Sequence, residues 1–360
     1  MAARSGGEAG RRAAVVGTGL IGASIGLALR AQGWFVTGTD RDAATLDAAL
    51  RAGAIDEIAE GTDCEITFIA TPIESVEVEA RRALAASSGV VTDVAGVKAS
   101  LTGLMAEARF VGGHPMAGSE RDGVDGARPD LFNGAAWVLT PVASTDDEAF
   151  ALVRSVVSTL GAEVVVLPPE EHDRMVAVVS HVPHLTAATL MTLADDQAVE
   201  HRALLRLAAG GFRDMTRVAS GHPAIWPDVC FENRSAIVRS LDQLIGELSS
   251  VRTIVAEGDR DGLLRRLQAA RTARKSLPSR LEGANDLVEL RMPIRDEAGA
   301  LVNILLQAAE LGVSVADVEI AHSVEGDGGV LVLIVEAGPA ETLVEALEQA
   351  GTPVAVVPLA

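Results

Sequence analysis

Ala13-Ala14-Val15-Val16-Gly17-Thr18-Gly19-Leu20-Ile21-Gly22 decides how this chain begins. Four small apolar residues, as in a buried parallel strand, run straight into a G-x-G-x-x-G. Gly17 permits the tight turn out of the strand, Gly19 lets backbone approach a pyrophosphate, and Gly22 allows close helix–strand packing. Thr18, Leu20 and Ile21 complete the loop, and the helix that follows aims free N–H groups and a positive dipole end at phosphate. Trp34–Thr39 reads as a second strand and ends at Asp40. That acid stands 23 residues after Gly17, where a carboxylate would bind ribose hydroxyls and repel a 2′-phosphate. The pattern predicts a Rossmann βαβ unit that holds NAD, although Arg41 beside the acid keeps NADP open.

Arg11-Arg12 before the uncharged run from Ala13 to Leu29 superficially resembles a twin-arginine export signal. The run is short and Gly-rich for a membrane span, and the strand and acid beyond Leu29 favour the dinucleotide reading. The net charge of -20 argues against a nucleic-acid partner. Cys64 and Cys230 lie far apart and form no C-x-x-C pair, as in a reduced, cytoplasmic protein with no disulfide framework.

Working outward, strands are expected at Glu65–Ala70, Gly89–Thr92, Phe110–Gly113, Trp137–Thr140 and Val164–Leu167. Their alternation with helical stretches implies a doubly wound parallel sheet over residues 1–168. Ligands of such sheets bind at the carboxyl ends of strands, where Thr71-Pro72, Asp93 and His114-Pro115 fall. After Pro168-Pro169 the pattern turns all-helical, giving a second domain over 169–283 of a kind that commonly dimerises. Residues 284–360 read βαββαβ, a ferredoxin-like order, with Gly326–Gly329 as a hairpin turn.

Four clusters carry candidate chemistry. His114, between glycines and a proline at a strand end, is placed to act as acid or base. His181 and His184 would share a helix face, near Glu170, Glu171, His172 and Asp173. Packing is a competing role for them; metal binding is disfavoured because H-x-x-H lacks the i,i+4 spacing of zinc helices, so no metal is expected. An Arg within the Gly-flanked stretch Gly210–Arg217 suits a carboxylate, although an ion pair with Asp214 or Asp228 fits equally. Lys98, in Thr92–Lys98, would either bind substrate, cap a helix or stand solvated at a helix start.

Together these clusters resemble the prephenate/arogenate dehydrogenase family of tyrosine biosynthesis. The shared motifs are G-x-G-L-I-G, T-P-I at 71–73, D-V-A-G-V-K at 93–98, G-G-H-P-M-A-G-S-E at 112–120, E-H-D at 171–173, S-H-V-P-H at 180–184, F-R-D-M-T-R at 212–217 and W-P-D at 226–228. The resemblance implies hydride transfer from C4 of a cyclohexadienyl ring to NAD⁺, with loss of carbon dioxide from C1. It makes His114 the group that polarises the 4-hydroxyl and Arg217 the carboxylate anchor. His184, with Asp173 and His181, would order the pocket, Glu120 and Trp226 would line its entrance, and Thr71, Pro72 and Asp93 would join the cofactor site. The family often has Ser where this chain has Gly96. The C-terminal segment resembles an ACT-type regulatory domain, with Asp296, Gly299 and Leu301 toward an aromatic amino-acid effector. The expectation is a cytoplasmic, NAD-dependent prephenate dehydrogenase and a homodimer, acting on a small molecule and touching no membrane. Arogenate as substrate, a β-hydroxyacid dehydrogenase leaning on Lys98, and an amino-acid sensor that binds NAD without turnover are the alternatives.

Overall fold

The computed structural model describes residues 10–61, 63–119, 121–200, 207–221, 223, 226–276, 287–295, 297, 299–322 and 328–358. By contact they form two units, 1–257 and 258–360. The first is built on an eight-stranded sheet of β1 (Arg12–Val16), β2 (Phe35–Thr39), β3 (Glu57–Ile58), β4 (Ile66–Ile69), β5 (Val90–Asp93), β6 (Phe110–Pro115), β7 (Ala136–Thr140) and β8 (Glu163–Val166). Their order is β3-β2-β1-β4-β5-β6-β7-β8. The chain winds outward from β1 through β2, then returns to place β4 on the other side. That reversal opens a crevice between the carboxyl ends of β1 and β4.

Helices α1 (Leu20–Ala31), α2 (Ala43–Arg51) and α3 (Ile73–Ala86) supply the crossovers, followed by the single turn α4 (Thr102–Met105) and later α5 (Asp147–Thr159). Their apolar faces cover a core in which Ile25, Leu29, Phe68, Phe132, Trp137 and Leu139 are fully buried. Phe68 and Phe132 both pack against the Trp137 indole.

The sheet departs from the all-parallel expectation at one seam. β6 and β7 pair antiparallel, with His114 opposite Val138, and β8 is again parallel to β7. A parallel neighbour needs a crossover, usually a helix. Among its described residues the connection 116–135 contains only the short 3-10 turn Val124–Gly126, so the chain returns alongside β6 in the opposite sense.

The all-helical segment is α6 (Pro169–Val176), a π-helical turn Ala177–His181, α7 (Val182–Glu200), α8 (Gly210–Thr216), a 3-10 turn Arg217–Ser220, α9 (Trp226–Glu232) and α10 (Arg234–Glu257). Pro169 starts α6 at a position where a missing N–H costs nothing. The 3-10 turn packs on α7, α10 packs on α6 and the π-turn, and α9 reaches α3.

In the second unit α11 (Arg260–Lys275) precedes β9 (Leu287–Arg295), α12 (Ala300–Glu310), β10 (Val315–His322), β11 (Gly328–Glu336), α13 (Ala337–Gln349) and β12 (Ala355–Pro358). The antiparallel sheet runs β10-β11-β9-β12, so the expected βαββαβ order holds. Leu290, Leu331, Leu333, Val335 and Leu343 fill its core.

Two glycines of the opening loop should respond differently to a methyl group. At Gly22 a Cβ would sit 1.9 Å from the Gly17 carbonyl oxygen, whereas at Gly19 it meets nothing within 4 Å. Alanine in place of a helical glycine would otherwise gain up to about 1 kcal/mol. The backbone overlap outweighs that gain, so Gly22→Ala should lose about 1–3 kcal/mol in urea unfolding. Gly19→Ala should keep its unfolding midpoint and weaken NAD binding in a fluorescence titration.

Candidate active site

The glycine loop is shaped by close backbone approach. Gly17 has φ 90°, and a Cβ there would lie 2.5 Å from the Ala70 carbonyl oxygen at the end of β4. Gly19 is the N-cap of the twelve-residue α1, no side chain caps that end, and no acid stands in the first turn. Its N–H groups therefore face the crevice with open space before them. Asp40 lies across the loop, accepting from the Thr18 N–H at 2.7 Å and from the Asp42 N–H at 3.0 Å. A carboxylate offers about four acceptor positions, so capacity remains for a ribose hydroxyl. The Thr71 hydroxyl, at the strand end facing this loop, is buried without a protein partner among the described residues. Open N–H groups, an acid across the loop and an orphaned hydroxyl fit a dinucleotide held by Gly17–Gly22, Asp40 and Thr71-Pro72.

Asp93 plays a different part from the cofactor contact expected of it. Its side chain is fully buried; it accepts from the Ala95 N–H at 2.9 Å, the Gly113 N–H at 3.1 Å and the Lys98 ammonium. It ties the ends of β5 and β6 together. Lys98 is buried as well, donating to the Gly113 carbonyl at 2.8 Å. It is neither solvated nor open to the pocket. Burial pushes the ammonium's pKa down, and the Asp93 carboxylate opposes that shift.

This pair clamps Gly113, and the next residue is His114. Its imidazole is half-buried at the strand end and meets His172 of α6 through Nδ1···Nε2 at 2.9 Å. His172 is fully buried, and its Nδ1 donates to Asp173 Oδ1 at 2.8 Å. The Asp173 carboxylate also accepts from the Lys98 and Ala99 N–H groups, each at 2.8 Å. Asp173 is thus buried and engaged by three donors: it supports His172 and the loop after β5, and does not face substrate as the sequence suggested. Burial, then the neighbouring His172, Lys98 and His181, each of which disfavours a further positive charge, hold His114 well below its usual pKa. It is a neutral base at physiological pH. On its other side, a Cβ at Gly96 would lie 3.6 Å from His114 Nε2, an ordinary van der Waals contact.

His181 and His184 gather on one indole. His184 stacks on Trp226 with ring centroids 3.6 Å apart and planes at 15°, and His181 meets the same ring edge-on. His181 is buried, with Nδ1 3.2 Å from Asn233 Nδ2, which also donates to the Asp173 carbonyl at 2.8 Å. His184 is more exposed and lies against Gly221, at the end of the 3-10 turn that Arg217 begins. Arg217 is exposed there. Glu120 and Asp296 lie outside the described residues. Among the described residues no three His, Cys, Asp or Glu side chains gather as a metal site would need.

Sequence reasoning therefore named most of this cluster, gave His172 no role of its own and missed Asn233. The E-H-D triplet flagged the right turn of helix without saying which of its three side chains points at His114.

Burial pushes His181 down to about 4. In the unfolded chain it titrates at about 6.5. Between those values the unfolded state binds the extra proton, so stability is full above about 6.5 and is lost as pH falls toward about 4. Urea midpoints measured from pH 8 to 4.5 should decline in that window, and His181→Gln should flatten the decline.

Residues 25–166 match the family model described as prephenate dehydrogenase, nucleotide-binding domain, and residues 168–269 match prephenate dehydrogenase, dimerization domain. The chain is 34% identical to the prephenate dehydrogenase of Bacillus subtilis over 335 residues, covering 88% of this chain and 90% of that one. It is 30% identical to the cyclohexadienyl dehydrogenase of Zymomonas mobilis over 73% of this chain and 95% of the other. Among solved structures, prephenate dehydrogenase from Aquifex aeolicus, in complex with hydroxyphenyl propionate and NAD+, aligns with TM-score 0.70 and 28% identity, covering 74% of this chain and 98% of that one. Arogenate dehydrogenase from Synechocystis aligns with TM-score 0.65 and 33% identity, covering 74% and 100%. The chain belongs to the prephenate dehydrogenase family.

Proposed function

We propose that this protein oxidatively decarboxylates prephenate to 4-hydroxyphenylpyruvate, using the unprotonated Nε2 of His114 as the base for the substrate's 4-hydroxyl. The enzyme is an NAD-dependent dehydrogenase. The observation that carries the reading is His114 itself: a base kept neutral by burial, at a strand end on the carboxyl edge that also holds the glycine loop. When bound, NAD accepts the hydride that leaves C4. His114 takes the hydroxyl proton as the C4–O bond gains double-bond character. The same proton returns to the phenolic oxygen once carbon dioxide has left C1 and the ring is aromatic. Arg217 holds a substrate carboxylate and the Trp226–His184 stack walls the pocket, which fixes C4 before the reaction.

Arogenate is the second reading, favoured by the 33% identity to the Synechocystis arogenate dehydrogenase. It differs in carrying an ammonium where prephenate has a keto group. A β-hydroxyacid dehydrogenase leaning on Lys98 is disfavoured, because that ammonium is sealed against Asp93 and Gly113. A sensor without turnover would give no NADH absorbance when substrate and NAD are mixed.

Assembly and regulation are part of the same proposal. α7 and α10 expose Leu193, Ile245 and Leu248 beside a groove lined by Val182, Ala187, Leu190, Met215 and Leu244. The segment lies within the match to a dimerization domain, and a second copy of this chain is the proposed cover. The C-terminal βαββαβ unit is the proposed ACT-type regulatory domain. Gly299 caps α12 with φ 91° and Leu301 packs against the core, next to the proposed aromatic amino-acid site. A cytoplasmic location follows from this reading.

His114→Asn should lower kcat by about 10²–10⁴-fold with NAD affinity unchanged. The acid limb of kcat/KM should fall below pH 6.5, since neutral His114 is the active form. Steady-state rates on both substrates check the assignment, and a tenfold preference for arogenate would overturn it. Ending the chain after residue 283 should abolish inhibition by tyrosine and leave turnover; persistent inhibition would place the effector in the active site.

A further inference from the structure

We infer that His172 is a positioning residue of the reaction, which with Asp173 locks His114 in the tautomer that presents a bare Nε2 to the substrate. The inference rests on the reading of His114 as the base, and it follows from hydrogen-bond direction with one proton on each of the two imidazoles. The Asp173 carboxylate can only accept, since Oδ1 and Oδ2 already receive the Lys98 and Ala99 N–H groups. His172 must therefore carry its proton on Nδ1, which lies 2.8 Å from Asp173 Oδ1. With that as the ring's one proton, His172 has only a lone pair on Nε2. The 2.9 Å contact to His114 Nδ1 is a hydrogen bond only if His114 supplies the proton from Nδ1. That assignment strips Nε2 of His114, the nitrogen facing Gly96, of any proton.

The chain Asp173–His172–His114 is built to hold that state. His172 is fully buried, and Asp173 nearly so. The two rings cross nearly edge to face, at 77° with centroids 5.1 Å apart, so each ring's plane aims at the other's nitrogen. Among the described residues no other side chain hydrogen-bonds His114. Gly96 supplies no hydroxyl on the far side, so the orientation of the base depends on His172. The groups facing His114 are His172 from α6, Lys98 from the loop after β5, and His181 from the π-turn, with Asp93 and Asp173 behind them. When His114 takes the substrate's proton on Nε2, its Nδ1–H bond to His172 becomes charge-assisted. No second proton moves, because His172 keeps its own on Nδ1 and Asp173 stays a carboxylate.

The test begins with the full-length, unaltered protein. Labelling with ¹⁵N-histidine gives signals from seven residues, and His114 is identified by its loss in His114→Asn. The expected spectrum at pH 7.5 shows a protonated Nδ1 and an unprotonated Nε2 for His114; the reverse tautomer overturns the proposal even if neither His172 variant folds. His172→Ala, which leaves no acceptor, should lower kcat with prephenate by about 10²-fold while the KM values for prephenate and NAD stay within twofold. It should also bring the Nε2-protonated form of His114 into the spectrum. His172→Gln restores an acceptor for Nδ1–H and should recover at least tenfold of that loss. Equal losses in the two variants, or a loss confined to KM, would assign His172 a structural role only. Turnover surviving in His114→Asn would instead remove the base itself, which is failure of the underlying reading and is distinguishable from failure of the lock.

Discussion

The Asp173 carboxylate is the interaction on which the active site depends. Its two oxygens receive the backbone N–H groups of Lys98 and Ala99 and the Nδ1–H of His172, and its own carbonyl accepts from Asn233. Three stretches distant in sequence meet on one residue: the loop after β5, the start of the helical segment, and the junction of α9 with α10. Burying a carboxylate is costly unless its lone pairs are filled. Here three donors fill them, and each donor belongs to an element that carries part of the site. The cost of burial is met by the contacts that fix the geometry.

A second buried charge does similar work one layer below. Lys98 and Asp93 pair at the carboxyl ends of β5 and β6, and both hold Gly113. Such pairs contribute little net stability compared with apolar residues of the same size, but removal of one partner leaves an uncompensated charge. The Lys98 side chain and backbone act on different strands of the argument. Its ammonium fixes the residue before His114, while its N–H anchors the residue after His172. His114, the proposed base, and His172, proposed to orient it, are located by the two ends of one lysine.

The opening βαβ unit was legible because each part obeys a local rule. A strand, three glycines, a helix and an acid need only spacing and backbone sterics to be read, and the C-terminal βαββαβ order was legible for similar reasons. The histidines that line the site were also nameable, because polar residues in glycine- and proline-flanked turns stand out from the apolar background. What remained hidden depends on direction rather than identity. Glu171, His172 and Asp173 are consecutive, and successive helical side chains diverge by about 100°, so their order does not reveal which one meets His114. Lys98 reads equally as a solvated or a buried residue until Asp93, five positions earlier, is known to turn inward. The antiparallel β6–β7 seam was hidden because it follows from the lack of a crossover helix among the described residues of 116–135, and periodicity registers helices that exist.

The π-helical turn Ala177–His181 shows the same dependence on direction at the scale of a helix. Asp173 and His181 are eight residues apart, which in an unbroken α-helix puts them about 80° apart. The Val182 N–H reaches back to the Ala177 carbonyl, an i→i+5 bond that inserts one extra residue into the helix. The spacing then behaves as seven residues, close to two turns of 3.6, and both groups come onto one face. That is the face Asn233 meets, with one amide nitrogen between the Asp173 carbonyl and His181 Nδ1. A regular helix would offer Asn233 one of these partners and swing His181 away from the edge of Trp226. The wider turn lets one helical run carry both His172, proposed to orient the base, and the pair His181 and His184 that gathers on Trp226.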